Sequence, residues 1–283
     1  MLFNSFIYFI FLFVVLGFYY FLRGRKSRIA FLLFASYSFY AYWDWRFCGF
    51  IFLLTIINFY TGKYLGTYRE NAPDSDKKKR VFYSAIIFNL AILGFFKYYN
   101  FFIDTFSYLF FSPGSDPDML HLNIIIPLGI SFYTFQNISY LTDVSRKKIT
   151  HTDSLLEYSL FIAFFPKLIA GPIERAGNFI PQLQKKFSAS KSQILEGITL
   201  IVTGLFKKVI IGDTAGRYVD NILKNIEYFT AFEIVTAVFL FTIQIYADFS
   251  GYTNIARGTA KLFGLELMKN FNQPYFSKNI SEF

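Results

Sequence analysis

The sequence has 283 residues, 54% of them hydrophobic and 17% charged, with 40 Phe, 21 Tyr and a mean hydropathy of +0.38. A soluble domain carries roughly 25% charged residues, so the composition excludes that class. The net charge of +9, from 28 basic and 19 acidic residues, is assigned to cytoplasmic loops that collect Lys and Arg, and not to nucleic-acid binding.

Residues 2–22 form an uncharged run close to the roughly 20 residues that a spanning helix needs. It has no basic n-region and no small-residue cleavage site, so a retained helix is expected, not a removed signal peptide. Arg23, Arg25, Lys26 and Arg28 place its C-terminal end in the cytoplasm. A second span, 29–43, closes on Trp43-Asp44-Trp45-Arg46, an interfacial aromatic anchor. Cys48 sits in the next apolar run. As a lone cysteine it excludes an internal disulfide and a cysteine metal cluster, and it suits a core or lipid-facing position. Span three, 47–62, returns to the cytoplasm, where Lys63, Arg69 and Lys77-Lys78-Lys79-Arg80 follow. Pro73 to Asp76 make that loop a solvated turn.

The fourth span covers 81–96, after which the aromatic stretch from Lys97 to Phe111 is expected to lie along the interface. Ser112 to Asp118 is a turn-rich external loop. A fifth span, 123–143, ends at Arg146-Lys147-Lys148, again cytoplasmic. Residues 155–172, flanked by basic residues on both sides, suit a re-entrant hairpin. Spans follow at 194–212 and 229–247, and short amphipathic helices are expected from Gly251 to Phe283. The chain is thus an all-α polytopic membrane protein in one domain, with no internal repeat.

The stretch from Phe164 to Leu183, FFPKLIAGPIERAGNFIPQL, breaks this pattern. Pro166, Gly171-Pro172 and Pro181 interrupt an apolar run, and proline both removes a backbone donor and breaks helices. In hydrocarbon such backbone survives only where protein or a water-filled cavity satisfies it. Pro166, Gly171 and Pro172 are therefore expected to shape the wall of a cavity. Lys167 and Arg175 are assigned first to cytoplasmic loop charge, and second to contacts with an anionic donor or lipid head groups.

Polar residues inside the spans point to the same cavity. The fifth span carries Tyr133, Gln136 and Asn137, and Asp248, Ser250 and Tyr252 follow Gln244 and Tyr246. Gln136 and Asn137 suit interhelical hydrogen bonding and cavity lining equally. Asp248 is assigned an organising role, because a carboxylate at membrane depth needs a partner. Lys207, Lys208 and Arg257 are the candidates. Asp213 and Asp220 lie near a membrane boundary, where solvation suffices to explain them.

Five stretches in order resemble the membrane-bound O-acyltransferase family, in its alginate O-acetyltransferase-like bacterial branch. They are MLFNSF at 1–6, PLGISFYTFQNISYLTDVSR at 127–146, the 164–183 stretch, GLFKKVIIGD at 204–213, and YADFSGYTNIARGTAKLFGLELMKNFNQPY at 246–275. The resemblance implies a ring of tilted helices around a central funnel in a bacterial inner membrane. It implies transfer of a small acyl group, usually acetyl, to a hydroxyl of an extracytoplasmic polysaccharide such as alginate. No bound cofactor is implied; acetyl-CoA or an acyl carrier is the co-substrate. Membrane lipid, the polysaccharide acceptor and periplasmic or extracellular acetylation proteins are the implied partners. A related branch transfers D-alanyl groups to teichoic acid.

The family's catalytic histidine lies in a Trp-x-x-Trp-His-type motif just after the segment that here ends NISEF, so these 283 residues are expected to represent an N-terminal portion without catalytic competence. A histidine would suit deprotonation of an acceptor hydroxyl near neutral pH. His121 and His151 match no such motif and are assigned to exposed loops. The cavity-lining candidates are therefore Tyr133, Gln136, Asp248, Ser250 and Tyr252. No phosphate loop, zinc-protease motif or nucleophile elbow occurs. The alternative from another class is a transporter or flippase of a lipid-linked saccharide, which also uses broken helices.

Overall fold

The computed structural model describes residues 3–67, 75–110, 122–169, 171–185, 188–270 and 274–279. Among them every regular element is helical. The SPGSDPD loop, His121 and the Pro73-Asp74 turn lie outside the described residues.

Helix α1 (Phe6–Phe21) opens with Ser5, whose hydroxyl accepts from the Tyr8 amide. Tyr8, Leu12, Val15 and Tyr19 repeat at helical spacing and form its buried face. The Tyr8 hydroxyl meets Thr259 Oγ1 at 2.7 Å, and the Tyr19 hydroxyl donates to the Phe263 carbonyl at 2.7 Å. Two phenols thus tie the start of the chain to a segment about 250 residues later. Helix α2 (Arg25–Asp44) turns through Trp45 into α3 (Arg46–Thr67), and an Arg46–Asp44 ion pair of 2.6 Å closes the corner.

Helix α4 (Ser75–Phe110) runs unbroken for 36 residues. The expected change of direction at Lys97 does not occur. No proline falls within 75–110, and Gly94 meets no obstruction, so the helical hydrogen bonds continue. Helices α3, α4 and α11 (Ala231–Leu262) are each long and apolar enough to cross a membrane. The chain is a membrane protein.

Helix α5 (Ile130–Ser145) begins at Gly129, whose φ of 73° is open to glycine at little cost. A Cβ there would also collide with the Leu168 carbonyl, so the start of α5 sits directly against the broken segment. That segment consists of α6 (Leu155–Ala163), the single turn α7 (Phe165–Leu168) and α8 (Ala176–Gln184). Every residue from Glu157 to Leu168 is buried, so the interruption occupies the centre of the molecule.

Helix α9 (Lys191–Leu205) passes into a π-helical stretch, Phe206–Gly212, and then into α10 (Asp213–Lys224). This rod packs along α11 through facing glycines. A Cβ on Gly197 or Gly258 would press on the other's carbonyl oxygen at 2.8 and 2.5 Å, and Gly204 and Gly251 are paired in the same way at 2.6 and 2.9 Å. Small residues in such a seam let two backbones approach closely.

Candidate functional site

The predicted lining residues fall into two groups. The first surrounds the helix break. Phe164 ends α6, and its amide donates to the Leu160 carbonyl. The Phe165 amide, freed by the break, donates to Ser36 Oγ of α2 at 3.0 Å. Pro166 sits in the first turn of α7, where its missing N–H costs nothing. Gly171 packs its backbone against the Lys167 main chain, and both Gly171 and Pro172 are buried, so the three wall residues line one buried turn.

Lys167 is fully buried, which overturns its assignment to loop charge. Its ammonium donates to Gln136 Oε1 at 2.9 Å and lies 4.3 Å from the centre of the Phe161 ring and 5.2 Å from that of Phe179. Rings and an amide oxygen replace water around the charge. Arg175 is exposed, as a loop cation would be. Glu174 is fully buried and accepts from the Asn178 amide group (2.7 Å), the Arg175 amide (3.2 Å) and the Met268 amide (2.7 Å). Beside Gln136 on α5, Asn137 accepts from the Tyr158 hydroxyl at 2.7 Å, while its Nδ2 has no partner among the described residues. The buried Tyr133 hydroxyl likewise has none of good geometry; neighbouring Tyr40 donates instead to the Leu128 carbonyl at 2.9 Å.

The second group stands on the π-helical stretch and α11. Lys208 Nζ lies 2.8 Å from Asp248 Oδ1 and 2.6 Å from Asp213 Oδ1. One of the three candidate cations is thus the partner of Asp248, and Asp213 is an ion-pair member, not merely a solvated boundary residue. Arg257 turns away, donating to the Leu267 carbonyl at 3.4 Å. Lys207 Nζ donates to the buried Ser250 hydroxyl at 2.8 Å. Tyr252 is half-buried with its ring centre 5.5 Å from Lys208 Nζ. Two consecutive lysines of the π-helical stretch thus both address α11.

Aromatic rings bridge the two groups. Phe132 of α5 stacks on Phe249 of α11 at 6.3 Å, and contacts run from Tyr252 through Phe3 and Phe39 to Phe165. Three cavities, of about 380, 750 and 210 Å³, lie elsewhere, and none is lined by the predicted residues. His151 borders the smallest. It is only 18% exposed, packed over Gly66 with Nε2 3.7 Å from Asp153 Oδ1, so it is not the exposed loop histidine expected. Gly66 leaves the room that a side chain would fill. The glycine pairs of the α9–α11 seam were not singled out in the sequence, although the seven-residue spacings 197–204 and 251–258 signal them.

No family model matches the chain. It is 37% identical over 284 residues to the Probable alginate O-acetylase AlgI of Pseudomonas aeruginosa, covering all of this chain and 53% of that protein. The chain belongs to the membrane-bound O-acyltransferase family. It is also 31% identical over 307 residues to the Peptidoglycan O-acetyltransferase of Helicobacter pylori, covering 97% of this chain and 56% of that one. A Teichoic acid D-alanyltransferase of Bacillus subtilis is 30% identical over 163 residues, 57% of this chain and 41% of that protein. The chain spans about half the length of the curated relatives it matches over its whole length.

Proposed function

We propose that this chain is part of a membrane-bound O-acetyltransferase that esterifies hydroxyls of an extracytoplasmic polysaccharide. The identity to an alginate O-acetylase over the whole chain carries this reading. In it, the helices ring a central cavity in a bacterial inner membrane, crossing it several times, and residues 155–172 enter as a re-entrant segment. At the buried break the freed Phe165 amide donates to Ser36 Oγ, which supports that placement, because broken backbone at membrane depth needs such a partner. Acetyl-CoA or an acyl carrier supplies the acyl group, and periplasmic or extracellular proteins complete the transfer. Tyr133, Gln136, Asp248, Ser250 and Tyr252 contribute polar lining, while Pro166, Gly171 and Pro172 shape the wall. The histidine base is assigned to none of these 283 residues.

A second reading, D-alanyl transfer, rests on the shorter match to the teichoic acid enzyme. Deletion of the gene separates the readings. Loss of ester-linked acetate from the surface polysaccharide, seen by proton NMR, supports acetyl transfer. Loss of ester-linked D-alanine instead supports the second. Unchanged esters with less polymer outside the cell would favour the transporter and overturn both.

A further inference from the structure

The cavity of about 380 Å³ is a groove bounded by α1 from Phe9 to Tyr20 and by α9 from Ile194 to Val202. Leu12, Ile201 and Leu262 are buried at its floor, while Phe13 and Val202 stand exposed at its rim. The one polar group on a lining side chain, the Tyr20 hydroxyl, donates to the Leu262 carbonyl at 2.6 Å. On a membrane-spanning surface such a groove meets hydrocarbon, not water.

Length and charge narrow what fills it. From Phe9 to Tyr20 the groove follows α1 for about 16 Å at 1.5 Å per residue. That is half of a hydrocarbon core of about 30 Å, the depth of one leaflet. Both walls also run out on a cation. Lys191 lies one turn before Ile194 on the same face of α9, and Arg23 follows Tyr20 just beyond α1. The positive-inside pattern puts this end in the cytoplasm. Both cations are exposed, and among the described residues no carboxylate pairs with either. Glu196 and Glu266, the carboxylates that follow Ile194 and Leu262 in the chain, are held instead by Lys261 at 2.8 and 3.1 Å. Basic groups at the cytoplasmic end of a gap between helices attract anionic head groups.

We propose that this groove is a binding site for an anionic phospholipid of the cytoplasmic leaflet, with one acyl chain between α1 and α9 and the phosphate at Arg23 and Lys191. The acyl chain covers the space that the two helices leave over Leu262, so the lipid ties α1 to the α9–α11 pair. The site is independent of which acyl group is transferred.

The test uses the protein expressed from its whole gene and purified in detergent. Retained lipid is counted by native mass spectrometry after exposure to phosphatidylglycerol and phosphatidylethanolamine with the same acyl chains. Wild type is expected to retain one phosphatidylglycerol in preference. Arg23→Gln/Lys191→Gln is expected to weaken that preference about thirtyfold, about fivefold per cation. Arg146→Gln/Lys148→Gln removes the same charge from the same side of the membrane and is expected to leave the preference unchanged. Ile198→Trp, on the exposed rim, fills the groove and is expected to abolish retention of both lipids. Wild type that retains no lipid overturns the proposal and leaves the groove to other protein, a second copy included. Equal retention of the two lipids by wild type overturns it, as does an equal loss in the two charge variants, which assigns the preference to surface charge as a whole. Retention by Ile198→Trp at the wild-type level overturns it too, by placing the lipid elsewhere.

Discussion

Lys167 is an amine that the fold has enclosed. Its ammonium has one oxygen partner among the described side chains, Gln136 Oε1, and two aromatic faces. Gln136→Leu removes that oxygen and leaves a buried amine without its acceptor, at a cost of about 1–3 kcal/mol. The double variant Gln136→Leu/Lys167→Met leaves neither group unpaired and is expected to recover most of the loss. Thermal unfolding in detergent, analysed as a double-mutant cycle, checks this; independent, additive losses would contradict it. The partnership was half legible. Gln136 stood out as an amide inside a span, but Lys167 was grouped with Arg175 as loop charge. The number of charges in a short window does not say which one the chain folds inward. Asp248 was easier, since a membrane carboxylate demands a cation and Lys208 was one of three within reach. Asp213 was missed because its position at a span boundary offered water as a sufficient partner.

At the scale of elements, the α9–α11 pair is held by close backbone approach. Ideal Cβ atoms at Gly204 and Gly251 fall within 2.6 and 2.9 Å of the opposite carbonyl oxygens. Gly251→Ile must push the two helices apart, at an expected cost of about 1–3 kcal/mol from overpacking. The same substitution at Gly17, which meets nothing within 4 Å, is expected to cost far less. Comparing the two melting temperatures tests whether the seam, and not glycine content, carries the effect. Apolar runs fixed where helices form, but not how far they continue. Lys97 suggested an end to span four, yet a single charge does not interrupt the hydrogen bonds of α4. The π-helical stretch, Phe206–Gly212, left no signal in the sequence.

For the whole molecule, charge sets the orientation. The loop at Arg146-Lys147-Lys148 is expected in the cytoplasm and the turn at Asn225, between α10 and α11, on the opposite side. Single cysteines at Lys148 and Asn225, in a chain with Cys48 replaced, check this with a membrane-impermeant maleimide. In cells whose outer envelope is opened, only Asn225→Cys should react; Lys148→Cys should react after the inner membrane is broken. Labelling of both from one side would contradict the orientation. The helix break was legible in the prolines of the 164–183 stretch, although Pro166, Gly171 and Pro172 were expected at the wall of a cavity and border none of the three cavities described; the separation of the predicted lining residues into two groups joined by rings was not legible, because they are far apart in sequence. The central claim is acyl transfer. Its most direct test supplies a labelled acetyl donor and an acceptor polysaccharide to membranes containing the protein from its whole gene. The account predicts alkali-labile label in the polymer, absent from membranes without the protein. Polymer that stays unlabelled although the protein is folded and abundant would contradict it.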